Sequence, residues 1–390
     1  EQLAAKRYPI VIFDPRGDYT GLADVPELAG RVKRYYAQFP VFDEDAETAA
    51  QVVGTLGYPL KDAMLARFGD VFDAARSFYA EDRDEAVERT AWLAEKSGRD
   101  EVVRYGLKPD MYLVARMAEV GELLLRKDDD EGKRQLQEWG WSGFGNYSRT
   151  DARTLEAIKK RAFSAAKALR LMEETNQRVA ATAEPLPRRR TELVDYGRIS
   201  VVSLAGYSDD FRATIYGIVA DEIFQARLRD ELRYPALLVL EEAHNVVPAS
   251  AGTAAVQRAT AITKQIAQEG RKFGLGLMLI SQRPSRLDAT TLSQCNSFVV
   301  MRMVNPADQK FVRDVIETLG EDDVGLLPDL DVGEALLSGQ FVNFPVLARV
   351  SPPASKGERE EEDAFEVLER VRRSAPPAAD APARERAQNR

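Results

Sequence analysis

Leu237 to His244 reads Leu-Leu-Val-Leu-Glu-Glu-Ala-His. Four apolar residues, preceded by Tyr234-Pro235, run directly into two carboxylates. Such a run predicts a strand buried on both faces. Its acidic end predicts a polar crevice at the carboxyl edge of a parallel sheet, where open α/β folds keep their chemistry. Adjacent acids at that edge suit nucleotide hydrolysis, because one carboxylate can hold Mg²⁺ through its water shell and the next can polarise the attacking water. A strand that ends in a solvated turn would give the same eight residues, so the rest of the chain has to decide.

Other stretches repeat the pattern. Tyr8 to Phe13 is a continuous apolar run closing in Asp14-Pro15-Arg16-Gly17-Asp18-Tyr19. Asp14 or Asp18 could reach a metal-bound water or a phosphate-binding neighbour, although forming the turn is the ordinary use of an aspartate there. Ile199 to Leu204 resumes the sheet, and Asp209 to Leu232 is an amphipathic helix with Phe211, Ile215, Ile218, Val219 and Ile223 on one face. The order strand, helix, acidic strand is that of a parallel crossover. Gln257 to Phe273 predicts a helix. Leu275 to Ile280 predicts a further buried strand delivering Ser281-Gln282-Arg283-Pro284, and Ser297 to Met303 one more, ending near Arg302. Pro306 suits the first turn of the helix that follows. Gly333 to Leu337 and Phe344 to Val350 predict a closing hairpin.

Between about Asp45 and Ala180 the β-branched runs disappear and Ala, Glu, Arg, Leu and Lys dominate. Apolar residues at three and four spacing predict helices over Asp84–Lys96, Asp110–Lys127 and Asp151–Glu174. Trp139, Trp141, Phe144 and Tyr147 could stack on bases or plug a helical core. Arg188-Arg189-Arg190 could touch phosphate or simply be solvated. We divide the chain into a first part of an α/β core (1–44), a helical insertion (45–185), the remainder of the core (186–350) and a charged tail (351–390). The fold class is α/β, a mostly parallel sheet flanked by helices.

Composition narrows the chemistry. With one cysteine and one histidine in 390 residues there is no disulfide framework and no zinc site. A metal, if used, must be oxygen-bound. No apolar run approaches the roughly 18 residues of a membrane-spanning helix, and the expectation is a cytoplasmic protein. The net charge of -9 confines any nucleic-acid contact to a local groove or an assembled pore.

Three segments carry a family resemblance: Leu-Val-Leu-Glu-Glu-Ala-His-Asn-Val-Val-Pro, then Glu-Gly-Arg-Lys-Phe-Gly-Leu-Gly-Leu-Met-Leu-Ile-Ser-Gln-Arg-Pro-Ser, then Leu-Ser-Gln-Cys-Asn-Ser with Asn-Pro-Ala-Asp-Gln. In this order and spacing they resemble the HerA branch of the HerA/FtsK P-loop ATPases, and Ile-Phe-Asp-Pro-Arg-Gly-Asp-Tyr resembles the strand after that branch's phosphate-binding helix. The resemblance runs from Ile10 to about Leu347, with nothing specific in the helical insertion. It implies a RecA-like fold binding ATP and Mg²⁺. Glu241 would be the Walker B acid that orders the metal, although many relatives have Asp there, and Glu242 would activate water. Gln282 would sense the γ-phosphate. Arg271 would be the finger presented to a neighbouring subunit, with Arg283 as its rival and Lys272 assisting. Asp14 would lie near the nucleotide, and His244 would be a hydrogen-bonding neighbour of the site rather than a base.

The resemblance further implies a homo-hexameric ring that moves double-stranded DNA with a nuclease partner, of the NurA type or a defence nuclease. A type IV secretion or conjugation ATPase would share this core, and a non-hydrolysing scaffold is a third possibility. No Gly-x-x-x-x-Gly-Lys-Ser/Thr occurs in these residues, although that loop holds the β and γ phosphates in P-loop enzymes. Truncation ahead of residue 1 is the expected reason, and the chain alone is expected to bind ATP poorly.

Overall fold

Residues 7–37, 45–56, 58–79, 82–99, 108–177, 180–250 and 252–355 are described by the computed structural model. Their first element, β1 (Ile10–Asp14), is buried at all five positions. After β2 (Val32–Tyr36) the chain enters helices α1 (Ala46–Thr55), α2 (Asp62–Phe78), α3 (Arg83–Ser97), α4 (Met111–Lys127), α5 (Asp130–Glu138) and α6 (Ala152–Gln177). It returns through the two-residue β3 (Glu184–Pro185) to β4 (Ile199–Ser203), then crosses by α7 (Asp209–Leu228) to β5 (Ala236–Leu240) and by α8 (Ala254–Glu269) to β6 (Leu275–Leu279).

These six strands form one sheet in the order β3-β2-β4-β1-β5-β6, and every neighbouring pair is parallel. The order explains the apolar runs. β1 lies between β4 and β5, so it has neighbours on both edges and packing on both faces. On one face Phe13, Leu238 and Leu240 meet Tyr216, Val219 and Ile223 of α7 and Ala259 and Ile262 of α8. The Phe13 and Tyr216 rings sit edge to face, 4.9 Å apart. Tyr216 is fully buried, and its hydroxyl accepts a hydrogen bond from Thr263 of α8 at 2.9 Å, so the polar tip is satisfied.

The helical insertion has its own core. Phe68, Phe72 and Phe78 of α2, Met117, Val120 and Leu124 of α4, and Leu155, Ile158 and Ala162 of α6 pack into a second hydrophobic cluster. Trp141, Phe144 and Tyr147 belong to it and are buried, Trp141 and Phe144 being 4.7 Å apart between ring centres. They are a plug and present no face for a base. Arg190 is buried as well, its backbone N–H donating to Glu222 of α7 at 2.8 Å.

Two expectations need correction. The helix expected over Gln257–Phe273 is α8, followed by a separate 3₁₀ turn, Gly270–Phe273. Gly270 permits that break, because a Cβ there would lie 2.5 Å from the Leu275 carbonyl oxygen. The strand expected at Ser297–Met303 is β7 (Ser297–Met301), and it lies outside the parallel sheet. It pairs antiparallel with β8 (Glu334–Gly339), which pairs with β9 (Val346–Arg349). The reason lies in its alternation: Val300 is buried, while Val299 and Met301 are 58% and 49% exposed, a strand with one covered face. Arg302 therefore does not end a strand of the parallel sheet. Pro306 does open the helix Pro306–Val315. The acidic and basic parts of the tail, Glu358–Asp363 and Arg370–Arg373, lie outside the described residues.

Candidate active site

Because the strands are parallel and Phe13 pairs with Leu240 and Leu240 with Leu279, the carboxyl ends of β1, β5 and β6 lie side by side. Three short polar segments meet there. The first is the turn after β1, built by Asp14. Its buried carboxylate accepts the backbone N–H groups of Arg16 (3.2 Å), Gly17 (2.8 Å) and Asp18 (3.2 Å) on Oδ1, and that of Tyr19 (3.1 Å) on Oδ2. Gly17, at φ 91°, supplies the left-handed step that this wrapping requires. Both Asp14 oxygens are thus spent on the turn, which aims the Arg16 and Tyr19 side chains at β5.

The second segment follows β5. Glu241 N–H donates to the Phe13 carbonyl at 3.3 Å, continuing the ladder, and the Tyr19 hydroxyl donates to Glu241 Oε2 at 3.0 Å. Burial raises the proton affinity of the Glu241 carboxyl; the Tyr19 hydrogen bond opposes this, and the charges of Glu242, Asp18 and Asp14 add to it. The Tyr19 phenol is also pushed up, first by burial and then by the Glu241 charge. Glu242 has φ 49° and ψ 44°, the left-handed region disfavoured for a residue with a Cβ. That conformation turns the chain sharply, so Ala243 N–H reaches the Ile280 carbonyl of the neighbouring strand end at 2.9 Å. It also sends the two adjacent carboxylates in different directions.

Glu242 is 3% exposed, and its Oε1 is in ion-pair contact with the half-exposed Arg16 guanidinium. Its Oε2 lies 3.3 Å from His244 Nδ1. The contacts are close, yet no N–H is aligned on either oxygen in hydrogen-bonding geometry. We therefore read the pairing with Arg16 as one of charge rather than as a fixed bidentate bond.

The third segment follows β6. Ser281 Oγ lies 3.0 Å from His244 Nδ1 and accepts the Arg283 backbone N–H at 3.0 Å, which ties the β6 end to the β5 end. Burial depresses the His244 pKa; Glu242 opposes this, and the Arg283, Arg286 and Arg16 cations reinforce it. The imidazole is therefore neutral at physiological pH, which suits the hydrogen-bonding role expected for it.

The structure thus brings Glu241, Glu242 and the exposed Gln282 and Arg283 to one edge of the sheet. Asp14 is at the same edge, but as the organiser of a turn. Arg271 is elsewhere: it is exposed in the turn that precedes β6, at the opposite end of that strand. Five residues at about 3.3 Å each separate the two ends by roughly 17 Å. Reading the sequence missed Arg16 and Tyr19, although both lie in the quoted Asp-Pro-Arg-Gly-Asp-Tyr turn. The available signal was their place, one turn beyond a buried strand that also ends in acid.

Among the described residues no group of three or more His, Cys, Asp or Glu side chains could hold a metal ion. A single carboxylate is nonetheless what Mg²⁺ uses when phosphates and water complete its shell. Glu241 fits that demand, since Tyr19 engages only Oε2.

The six-stranded parallel sheet flanked by helices is of the α/β class and carries two carboxylates and a glutamine at adjacent strand ends. The chain is 30% identical over 195 residues to the DNA double-strand break repair helicase HerA of Sulfurisphaera tokodaii, a match covering 46% of this chain and 39% of that protein. It is 42% identical over 119 residues to the protein of the same name from Pyrococcus furiosus, covering 30% of this chain and 21% of that one. These matches place the matched part of the chain in the HerA/FtsK superfamily. The match thus spans about two-fifths or less of the length of these relatives. No protein-family model matches the chain. Among solved structures, VirB4 of Thermoanaerobacter pseudethanolicus aligns with 90% of this chain and 83% of its own, at 14% identity and a TM-score of 0.47. No helix among the described residues is long and apolar enough to cross a membrane.

Proposed function

We propose that this chain supplies the hydrolytic edge of an ATP-driven DNA translocase of the HerA type. The observation that carries the reading is the meeting of Glu241, Glu242 and the Ser281–Gln282 segment at the carboxyl ends of two hydrogen-bonded strands. In this reading Glu242 accepts a proton from the attacking water, and Gln282 reads the γ-phosphate. Glu241 would hold Mg²⁺, which would supply positive charge to offset the triphosphate. Asp14 acts indirectly, by fixing the turn that carries Arg16 and Tyr19. The 390 residues contain no Gly-x-x-x-x-Gly-Lys-Ser/Thr, and in this reading the backbone cradle for the phosphates is supplied from outside them.

Arg271 lies at the end of β6 opposite its own subunit's acidic edge. That placement supports a role at the nucleotide of the next subunit, and hence a closed ring, for which we propose six subunits around double-stranded DNA with a nuclease as partner. Arg283, on the acidic edge itself, acts in its own subunit in this account.

Complementation tests the assignment. In the protein carrying its phosphate-binding loop, Glu242→Gln subunits should bind ATP but not turn it over, and Arg271→Ala subunits should also be inactive. Mixing the two should restore hydrolysis, because some interfaces then pair an intact glutamate with an intact arginine. Unchanged turnover in Glu242→Gln, or mixtures that stay inactive while assembling normally, would overturn the reading.

A further inference from the structure

Arg16 has no assigned part in this chemistry, yet it makes the closest contact to Glu242. Its guanidinium pairs with Oε1 of a carboxylate that is 3% exposed, while Arg16 itself is 52% exposed. The remaining oxygen faces His244 Nδ1 at 3.3 Å. A carboxylate so placed faces a cation on one oxygen and an imidazole on the other, and both oxygens are buried away from bulk solvent. The pairing also lacks aligned N–H donors, so it is an arrangement that can be exchanged. The half-exposed guanidinium can be approached from the crevice by a phosphate oxygen, for which its planar fork is suited. Glu242 further sits in a strained left-handed conformation, of the kind that persists only where surrounding contacts hold it.

We propose that Arg16 is a positioning residue that latches Glu242 in a resting arrangement, and that an oxyanion competing for the guanidinium releases the carboxylate to face water. The latch rests on the reading of Glu242 as the water-activating group. Its existence, however, can be tested without any turnover.

His244 is the sole histidine of these 390 residues, so imidazole NMR of this chain yields one titration. The groups facing it are Glu242 on its own segment, Arg16 from the turn after β1, and Ser281, Arg283 and Arg286 from the segment after β6. Arg16→Ala should raise the His244 midpoint by about one pH unit, since a cation is lost and Glu242 is freed to turn toward the ring. Glu242→Gln should lower it. The rise caused by Arg16→Ala should be markedly smaller in the Glu242→Gln background, and Arg16→Lys should stay near wild type. Inorganic pyrophosphate, compared with chloride at matched ionic strength, should move the wild-type midpoint toward the Arg16→Ala value and leave Arg16→Ala unmoved. Equal Arg16→Ala shifts in both backgrounds, or a wild-type midpoint insensitive to pyrophosphate, would overturn the latch. A latch found in a protein that never hydrolyses ATP would instead locate the failure in the functional reading.

Discussion

Glu241 and Glu242 are neighbours in sequence but sit in different surroundings, and the left-handed backbone at Glu242 separates them. Glu241 keeps its place in the strand ladder and carries a carboxyl that burial makes harder to ionise. Its folded-state proton affinity lies above that of the unfolded chain, so ionisation penalises the fold. That penalty is absent in acid and grows as pH rises through the unfolded and then the folded pKa. Glu241→Gln should therefore melt at a higher temperature than wild type near pH 8, with the advantage shrinking toward about pH 4. Thermal unfolding at both pH values checks it, and an advantage that is constant or reversed would mean that the charge is compensated locally. Glu241, Glu242 and Gln282 could be singled out from the sequence because each closes an apolar run. Arg16 and Tyr19 could not, because their importance depends on β1 lying beside β5, some 220 residues later, as the Tyr19–Glu241 separation of 222 positions makes plain.

At the scale of elements, apolar periodicity located α3, α4 and α6 of the insertion but not α1, α2 or α5, and α3 and α4 each start on an aspartate cap. Asp110 is one such cap: its Oδ1 accepts the Tyr112 N–H at 2.9 Å and the Leu113 N–H at 3.2 Å at the start of α4. Since α4 lies at the centre of the insertion's core, Asp110→Ala should destabilise that core by about 1 kcal/mol. Urea unfolding monitored by tryptophan fluorescence should register the loss, because Trp141 is buried in the same cluster. No loss would mean that other donors or solvent take over at the helix start. β7 was assigned to the wrong sheet for a physical reason. A short apolar run specifies a strand but not its partner, and only the alternation of Val299, Val300 and Met301 hinted at a single covered face. Likewise, an aromatic plug is the more ordinary reading of Trp139, Trp141, Phe144 and Tyr147 than base stacking, and the surrounding helices bury Trp141, Phe144 and Tyr147.

Across the whole molecule, distance along the sheet separates two sets of polar residues. The carboxyl edge gathers Glu241, Glu242 and Gln282, and Arg271 lies a strand length away at the amino edge, which fits the proposal that one subunit contributes to two different sites. The crossover order was legible from the chain, whereas the placement of β1 between β4 and β5 was not, because pairing is non-local. The central claim is that Glu242 and Gln282 serve the same triphosphate. A double-mutant cycle on single-turnover ATP hydrolysis in the loop-bearing protein tests it most directly. Glu242→Gln and Gln282→Ala should each cut the rate, and combining them should leave it no lower than Glu242→Gln alone. Losses that multiply in the double variant would mean that the two residues act independently and would contradict the account.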